Sequence, residues 1–394
     1  MPGPLDGIRV VDLTSMVSGP LATAVLGDQG ADVIKIEPLG SGDLIRSIGT
    51  SRGGLSAIFS TLNRNKRSLA LDLGQPRGLA LLLRLVASAD VFVQNFRPGV
   101  AERMGIGEAA LRAVRSDLVY VSISGFGESG PYAQRRVYDI VIQALSGMAD
   151  SQADPNTGEP ELVRNIVADK ATALVAAQAI TAALFARERG AGGQHVRLAM
   201  LDATIAFLWP DVMQAWTYLG PGATPPASLA GFLSVRRTLD GFMTIFAIAD
   251  VEFAGLCRAI DRPDLLRDER FRDTAGRMRH ANVLARVLDE ATCAQTTASL
   301  CARLEAEDVP HAPVNRLETL HQDAQVIANG VLVEMEHARA GRFRTPRPVA
   351  QFDATPASLR RPAPSLGEHG AELLGELGLP ASEIADLRAK QIVG

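Results

Sequence analysis

The chain has 394 residues, of which 47% are hydrophobic and 21% charged, and its formal net charge is −4. This length allows two or three domains with a substantial core, and the slight negative charge excludes the basic footprint of a protein that binds nucleic acid or an anionic membrane. Three scattered cysteines exclude a disulfide framework and a zinc site. The N-terminus lacks the basic start and apolar core of a signal peptide, so we expect a cytoplasmic protein that acts on small molecules.

Short runs rich in β-branched residues alternate with helical patterns over the first third of the chain. Because these runs are almost continuously apolar, they predict strands that are covered on both faces. Alternation with helices then predicts an α/β fold, with a parallel sheet of Rossmann type. The predicted strands are residues 8–13, 32–37, 68–73, 90–96 and 118–124.

A long helical pattern at residues 163–190 follows a polar loop at 150–160. Its most apolar run, 171–186, is shorter than the roughly 20 residues that span a bilayer. It therefore predicts a buried helix. A strand at 194–200 and another apolar helix, which ends near Tyr218, come next.

Composition changes after residue 218, where prolines, glycines and small residues indicate a boundary. An Asp-Gly pair at 240–241 predicts a hairpin, and helical patterns follow it. The predicted segments are a large domain at 1–218, a linker at 219–231, a small α+β domain at 232–309, a return linker at 310–352, and a C-terminal part at 353–394 that completes the large domain.

Two features near the predicted sheet are typical of phosphate-containing ligands. "GFGESG" at 125–130 matches the glycine pattern of a dinucleotide site, but no helical pattern begins within it, so a glycine loop at a strand end is the better interpretation. Basic clusters at 63–68 and at Arg135–Arg136 are typical of solvated surface, unless a ligand with several phosphates pairs with them.

Asp169 is the acid at the head of the long apolar helix. An acid at a helix start usually caps free N–H groups and complements the helix dipole. The same position would aim N–H groups at its carboxyl, where they would stabilise an oxyanion after attack on the carbonyl carbon. The pattern alone leaves both roles open.

Ordered motifs along nearly the whole chain resemble the class III CoA transferases, the CaiB/BaiF group that includes formyl-CoA transferase. The motifs are "PLDGIRVVDLT", "GPLATAVLGDQGADVIKIEP", "NRNKRSLALDL", "ADVFVQNFRPGVAERMGI", "SISGFGESGPY", "ARERGAGGQHVRLAMLDA" and "VPHAPVNRLETL". This resemblance implies a Rossmann-like large domain formed by both chain ends, an inserted small domain and an interlocked homodimer.

The resemblance also implies a reaction and a site. Asp169 matches the nucleophile, which forms an aspartyl anhydride and then an aspartyl-CoA thioester, so that CoA moves from an acyl-CoA to a free carboxylic acid. Coenzyme A is then a substrate, and no tightly bound cofactor and no metal are expected. The implied CoA contacts are Val17, Ser18, Leu71, Asp72, Asn95, Phe96, Arg103, Met104, Arg136 and Tyr138.

Three positions depart from the family pattern. The glycine run that closes over the aspartate in formyl-CoA transferase is replaced by "PPASLAGFLSV" at 225–235. Pro38 stands where some relatives have an arginine that contacts CoA. Lys170, next to the expected nucleophile, either lowers the pKa of Asp169 or meets the substrate carboxylate.

Two other activities are alternatives. A 2-methylacyl-CoA racemase shares the fold and the aspartate, but its histidine falls at Tyr138, and a phenol with a pKa near 10 is a poor base at neutral pH. An NAD-dependent oxidoreductase depends on "GFGESG" alone.

Overall fold

The computed structural model describes residues 2–154, 157–222 and 234–394. The chain divides into two compact units, one formed by Met1–Met213 with Gly330–Gly394 and the other by Gln214–Asn329. Of the linker expected at 219–231 and the sequence at 225–235, residues 223–233 lie outside the described part of the chain.

A six-stranded parallel sheet organises the large unit, with strand order β5-β2-β1-β6-β7-β8. This confirms the predicted α/β fold with a parallel sheet. The strands of this part of the chain are β1 Arg9–Leu13, β2 Asp32–Glu37, β3 Ser51–Arg52, β4 Leu55–Ser56, β5 Lys66–Ala70, β6 Val91–Gln94, β7 Val119–Ser124 and β8 His195–Ala199. The short strands β3 and β4 form a separate hairpin.

Helices cover both faces of the sheet. They are α1 Ser18–Asp28, α2 Ala57–Leu62, α3 Pro76–Ala87, α4 Val100–Arg103, α5 Glu108–Val114, α6 Asp139–Leu145, α7 Met148–Ser151, α8 Val167–Ala186 and α9 Met200–Val212. Side chains of a strand alternate between faces, so Val10 packs with α1 and α8 while Val11 packs with α3 and α5.

Helix α8 is the long apolar helix of the sequence. With the π-helical turn that ends it, Val167–Ala191 is long and apolar enough to cross a membrane by length and composition, which the run at 171–186 was not expected to be. Half of its most apolar window is buried inside the protein. Alanines at 173, 176 and 177 pack in the core formed with α1 and the sheet, as in a core helix.

The end of the chain joins the large unit. An antiparallel hairpin of β12 Leu332–His337 and β13 Gly341–Pro346 is followed by helices α16 Gly370–Glu376 and α17 Ala381–Ala389. Both helices contribute to the core on the α3 face, and Val393 pairs with Leu71 beyond the end of β5.

The small unit combines a three-stranded antiparallel sheet with helices around its own core. Its elements are α10 Gln214–Thr217, β9 Arg236–Arg237, β10 Phe242–Ile245, α11 Asp250–Ala259, α12 Thr274–Arg279, α13 Ala281–Cys293, α14 Thr297–Ala306, β11 His311–Pro313 and α15 Ala324–Ala328. β9 and β10 flank the Asp-Gly turn as a hairpin.

Two predicted boundaries differ from the structure. Residues 310–352 are not a plain linker, because they hold β11, α15 and the β12–β13 hairpin, whose short polar strands give little periodic signal. The strand predicted at 68–73 begins earlier, at Lys66. Lys66 and Arg67 look like surface residues in the sequence, yet both are buried through ion pairs.

Candidate active site

Asp169 lies in the first turn of α8, whose preceding residue, Ile166, supplies no side-chain cap. The cap comes from another helix. The Asp169 main-chain N–H donates to Oδ2 of Asp139 in α6, at 3.0 Å. An acceptor from α6 therefore satisfies a free N–H group of α8, and the Asp169 carboxyl is left for other contacts.

Asp139 is itself buried and firmly held. Its Oδ1 accepts a hydrogen bond from Gln143 Nε2 at 2.5 Å. Gln143 also donates to the Asn165 carbonyl, at 3.0 Å, and accepts from the Val163 N–H, at 3.0 Å. One side chain thus fixes both Asp139 and the segment that leads into α8.

The Asp169 carboxyl meets the N-terminus of a third helix, α1. Both the hydroxyl and the main-chain N–H of Ser18, the first residue of α1, hydrogen-bond to it. Burial raises the pKa of Asp169, the Asp139 carboxylate raises it further, and the Ser18 donors oppose the rise; the result is a pKa of about 6 in place of 3.8. A carboxylate that is ionised at neutral pH yet poorly solvated is suited to nucleophilic attack.

Lys170 points to a different partner. Its exposed Nζ donates to Asn165 Oδ1, at 2.7 Å, and the charges that shift the pKa of Asp169 do not include it. Of the two roles open for Lys170, lowering this pKa has no support in the structure.

The residues expected to contact CoA lie where strands of the parallel sheet end, as ligand-binding residues of open α/β sheets do. Val17 and Ser18 are buried at the start of α1. Asn95, after β6, holds the main chain of Ser15 through its side chain, with the Ser15 N–H donating at 3.0 Å and its carbonyl accepting at 2.8 Å. Ser18 is the predicted contact that also touches Asp169.

The other expected contacts differ in how free they are. Leu71 is fully buried, and Asp72 accepts from the Gly74 N–H and the Gln75 amide within its own turn. Met104 packs against the core. Arg103, Arg136 and Tyr138 are exposed. Phe96 lines a cavity of about 510 Å³ beside β6, β7 and β8 that Asp169 does not reach.

The two motifs suggestive of phosphate are explained differently. Residues 125–130 form a loop, and the next helix, α6, begins only at Asp139, so the helix that a dinucleotide fingerprint requires is missing from this described segment. In the first basic cluster, Arg64 pairs with Asp28, Lys66 with Asp12 and Arg67 with Asp32. Arg135 stacks on Tyr132.

Sequence reasoning missed Asp139. It named Tyr138 and passed over the acid beside it, because an acid at a helix start is common. The available signal was a pair of such acids, Asp139 and Asp169, each at the head of an apolar helix in the same predicted domain. Only packing of α6 against α8 shows that they meet.

Comparison with known proteins identifies the family. The model of CoA-transferase family III matches residues 5–370. Succinate–glutarate CoA-transferase of Agrobacterium fabrum is 36% identical over 391 residues, covering 95% of this chain and 96% of that protein. Acetyl-CoA:oxalate CoA-transferase of Acetobacter aceti is 32% identical, covering 97% of each. A crystal structure of a CaiB/BaiF family protein from Brucella suis superposes with a TM-score of 0.83 at 32% identity, covering 96% of this chain and all of that one.

The chain therefore belongs to CoA-transferase family III, the CaiB/BaiF group. It is an enzyme of the CoA-transferase class. This confirms the resemblance seen in the sequence and leaves the racemase and oxidoreductase alternatives without support.

Proposed function

We propose that this enzyme moves CoA from an acyl-CoA thioester to a free carboxylic acid, with Asp169 as the covalent nucleophile. The observation that supports this most is the environment of one carboxyl group. Asp139 takes up the Asp169 N–H, at 3.0 Å, while Ser18 at the N-terminus of α1 faces the Asp169 carboxyl. With a pKa of about 6, roughly ten such groups are ionised for each one protonated at pH 7.

The first half-reaction activates Asp169. A carboxylate oxygen attacks the thioester carbonyl, the C–S bond breaks, and a mixed anhydride and CoA thiolate form. The thiolate then attacks the aspartyl carbonyl carbon, the donor acid leaves as its carboxylate, and an aspartyl-CoA thioester remains. Each step exchanges one activated acyl link for another of similar reactivity.

The second half-reaction reverses this order. The acceptor carboxylate attacks the aspartyl-CoA carbonyl and releases CoA thiolate, which leaves a new mixed anhydride. The thiolate then attacks the acyl carbon of the acceptor, so that the new acyl-CoA departs and the Asp169 carboxylate is restored. No external oxidant or hydrolysis of a nucleotide enters the balance.

Ser18 and α1 have a defined part in these steps. When the aspartyl carbonyl is attacked, negative charge grows on an Asp169 oxygen that the Ser18 N–H and hydroxyl already face. Donors that are aligned before the reaction stabilise such an oxyanion without reorganising, and the positive end of α1 adds to their effect. The oxyanion donors of this proposal thus come from α1 and not from the start of α8.

The residues matched to the family's CoA contacts would hold the CoA. The exposed guanidinium groups of Arg103 and Arg136 are available for phosphate oxygens. Val17 and Ser18 would border the thiol arm. CoA enters and leaves as a substrate, with no tightly held cofactor.

The names of relatives suggest which acids to test first. Those of Agrobacterium fabrum and Acetobacter aceti name succinate, glutarate and oxalate, all dicarboxylic acids. We propose a short dicarboxylic acid as acceptor or donor for this chain.

A cytoplasmic homodimer is the proposed form of the enzyme. Its support is an exposed apolar surface on the large unit, which is larger than single scattered residues would give. A second copy would cover it. The exposed side chains of α6, α8 and α9 are Ile140, Val141, Leu145, Leu174, Val175, Phe185, Phe207 and Trp209. Light scattering after gel filtration distinguishes a dimer from a monomer.

Covalent trapping tests the mechanism. The enzyme is mixed with succinyl-CoA, treated with hydroxylamine, and mapped by mass spectrometry, and we expect a hydroxamate at Asp169. Asp169→Ala should abolish the adduct and lower kcat by roughly 10,000-fold. Asp202 is the matched control, since it holds the same position in the first turn of α9, and Asp202→Ala should leave both unchanged. Undiminished transfer by Asp169→Ala would refute the proposal.

A further inference from the structure

A four-residue loop, Thr14–Val17, joins β1 to α1 and ends at Ser18, which faces Asp169. Side chains from separate parts of the sheet hold three successive residues of this loop. Lys35 Nζ donates to the Thr14 carbonyl at 2.9 Å, and Asp43 Oδ1 accepts from the Met16 N–H at 3.1 Å. Asn95 holds Ser15 between them. The main chain is therefore fixed immediately before the oxyanion donors.

Lys35 and Asp43 also bind each other. Lys35 Nζ lies 3.0 Å from Asp43 Oδ2, and both side chains are almost entirely buried. Burial disfavours the charged ammonium, but Asp12 and Asp43 outweigh it and raise the pKa of Lys35. Both groups are thus charged in the fold, and the pair holds two points of the loop at a fixed separation.

The loop has a conformation that needs such support. Met16 has φ 67°, a left-handed conformation that residues other than glycine seldom adopt and that costs energy unless the surroundings impose it. Close packing extends the constraint into α1, because a Cβ at Gly19 would come within 2.4 Å of the Thr14 Cβ. A shift at Thr14 or Met16 would therefore move the first turn of α1.

We propose that Lys35 and Asp43 are positioning residues for catalysis, which set the direction of the Ser18 N–H and hydroxyl toward Asp169 through the loop Thr14–Val17. This inference rests on the proposed role of Asp169. Neither residue touches Asp169 or the reacting atoms; they act by holding the loop. Their function is distinct from that of an ordinary buried ion pair, which would affect only the stability of the fold.

The consequence is measurable in the pH dependence. If the Ser18 donors turn away, the Asp169 carboxylate loses the hydrogen bonds that oppose the rise of its pKa, and Asp139 from α6 remains as the charge that raises it. The acid limb of kcat/KM should then move to higher pH. We expect kcat to fall by about 100-fold with KM for the acyl-CoA changed less than about threefold, since misplaced groups chiefly affect the transition state.

The test uses a paired variant that leaves no buried charge alone. Lys35→Met with Asp43→Asn removes both charges at nearly constant volume. The matched control is Arg64→Met with Asp28→Asn, which removes a comparably buried ion pair at the opposite end of α1. Both proteins are compared with wild type in kcat, KM, pH profile and hydroxamate yield at Asp169.

The expected result is a loss of kcat and an acid limb at higher pH in the Lys35/Asp43 variant, with a wild-type pH profile in the Arg64/Asp28 control. Lys35→Arg, which keeps the charge, should recover part of kcat. If wild type forms the Asp169 adduct but the Lys35/Asp43 variant keeps the wild-type kcat and profile, this inference is wrong. If wild type forms no adduct at all, the proposed function itself fails.

Discussion

Two aspartates contact the same helix, α1, and have opposite electrostatic surroundings. Asp12 accepts from the Thr23 hydroxyl of α1, at 2.7 Å, and is fully buried. Burial by itself would raise the pKa of Asp12, but Lys66, 2.9 Å away, and Lys35 hold that pKa far below its usual range. Asp169 meets Ser18 of α1, has another carboxylate beside it, and has a pKa of about 6.

The difference shows that neighbours, and not burial, separate a structural acid from a reactive one. Burial raises the pKa of both groups. At Asp12 the paired lysines make the carboxylate part of the framework, whereas at Asp169 only two neutral donors oppose a nearby negative charge. Reactive groups are commonly left in surroundings that do not stabilise them, at some cost to the stability of the fold.

The largest effect should come from breaking the Asp12 pair. Lys66→Met leaves Asp12 buried without its closest cation, and removing one partner of a buried pair costs about 3 kcal/mol or more of unfolding free energy. Urea denaturation measures this. Adding Asp12→Asn removes the uncompensated charge, so the double variant should recover most of the loss. A single variant as stable as wild type would contradict this account of Asp12.

The reverse result is expected at Asp169. Because its pKa in the fold, about 6, lies above the ordinary 3.8, the folded protein holds this proton more tightly than the unfolded chain does. The free energy of unfolding therefore falls as pH rises between these values and stays lower above them.

Asp169→Asn removes this loss while it abolishes transfer. After discounting for partial exposure, we expect the variant to be about 1 kcal/mol more stable than wild type at pH 8. The gain should shrink at pH 5. Urea denaturation at both pH values checks the sign, and Asp202→Asn should show no such gain. A less stable Asn variant at pH 8 would mean that Asp169 is well stabilised as an anion.

The smallest effect concerns the neighbouring acid. Asp139→Asn keeps an oxygen for the Asp169 N–H but removes the negative charge that helps to raise the pKa of Asp169. The acid limb of kcat/KM should move down by about one pH unit. A limb that stays in place would show that burial alone sets this pKa. Asp202→Asn again serves as the control.

The sequence was sufficient for much of the fold and for the family. Apolar runs predicted the strands of the parallel sheet, which the structure confirms with ends that differ by a few residues. The charged start of β5 was missed, because a buried lysine cannot be distinguished from a surface one until its partner is known. The strands β12 and β13 were missed because they alternate charged residues with few apolar ones.

The sequence by itself determined the alternation of strands and helices, the family, and the position of one acid at the head of an apolar helix. Only the tertiary structure decided what that acid meets: Asp139 from α6 at its N–H and Ser18 of α1 at its carboxyl. Periodicity and composition describe a residue's own segment. The pKa of a carboxyl depends on charges and donors within a few ångströms, and here these come from residues some 30 and 150 positions earlier in the chain.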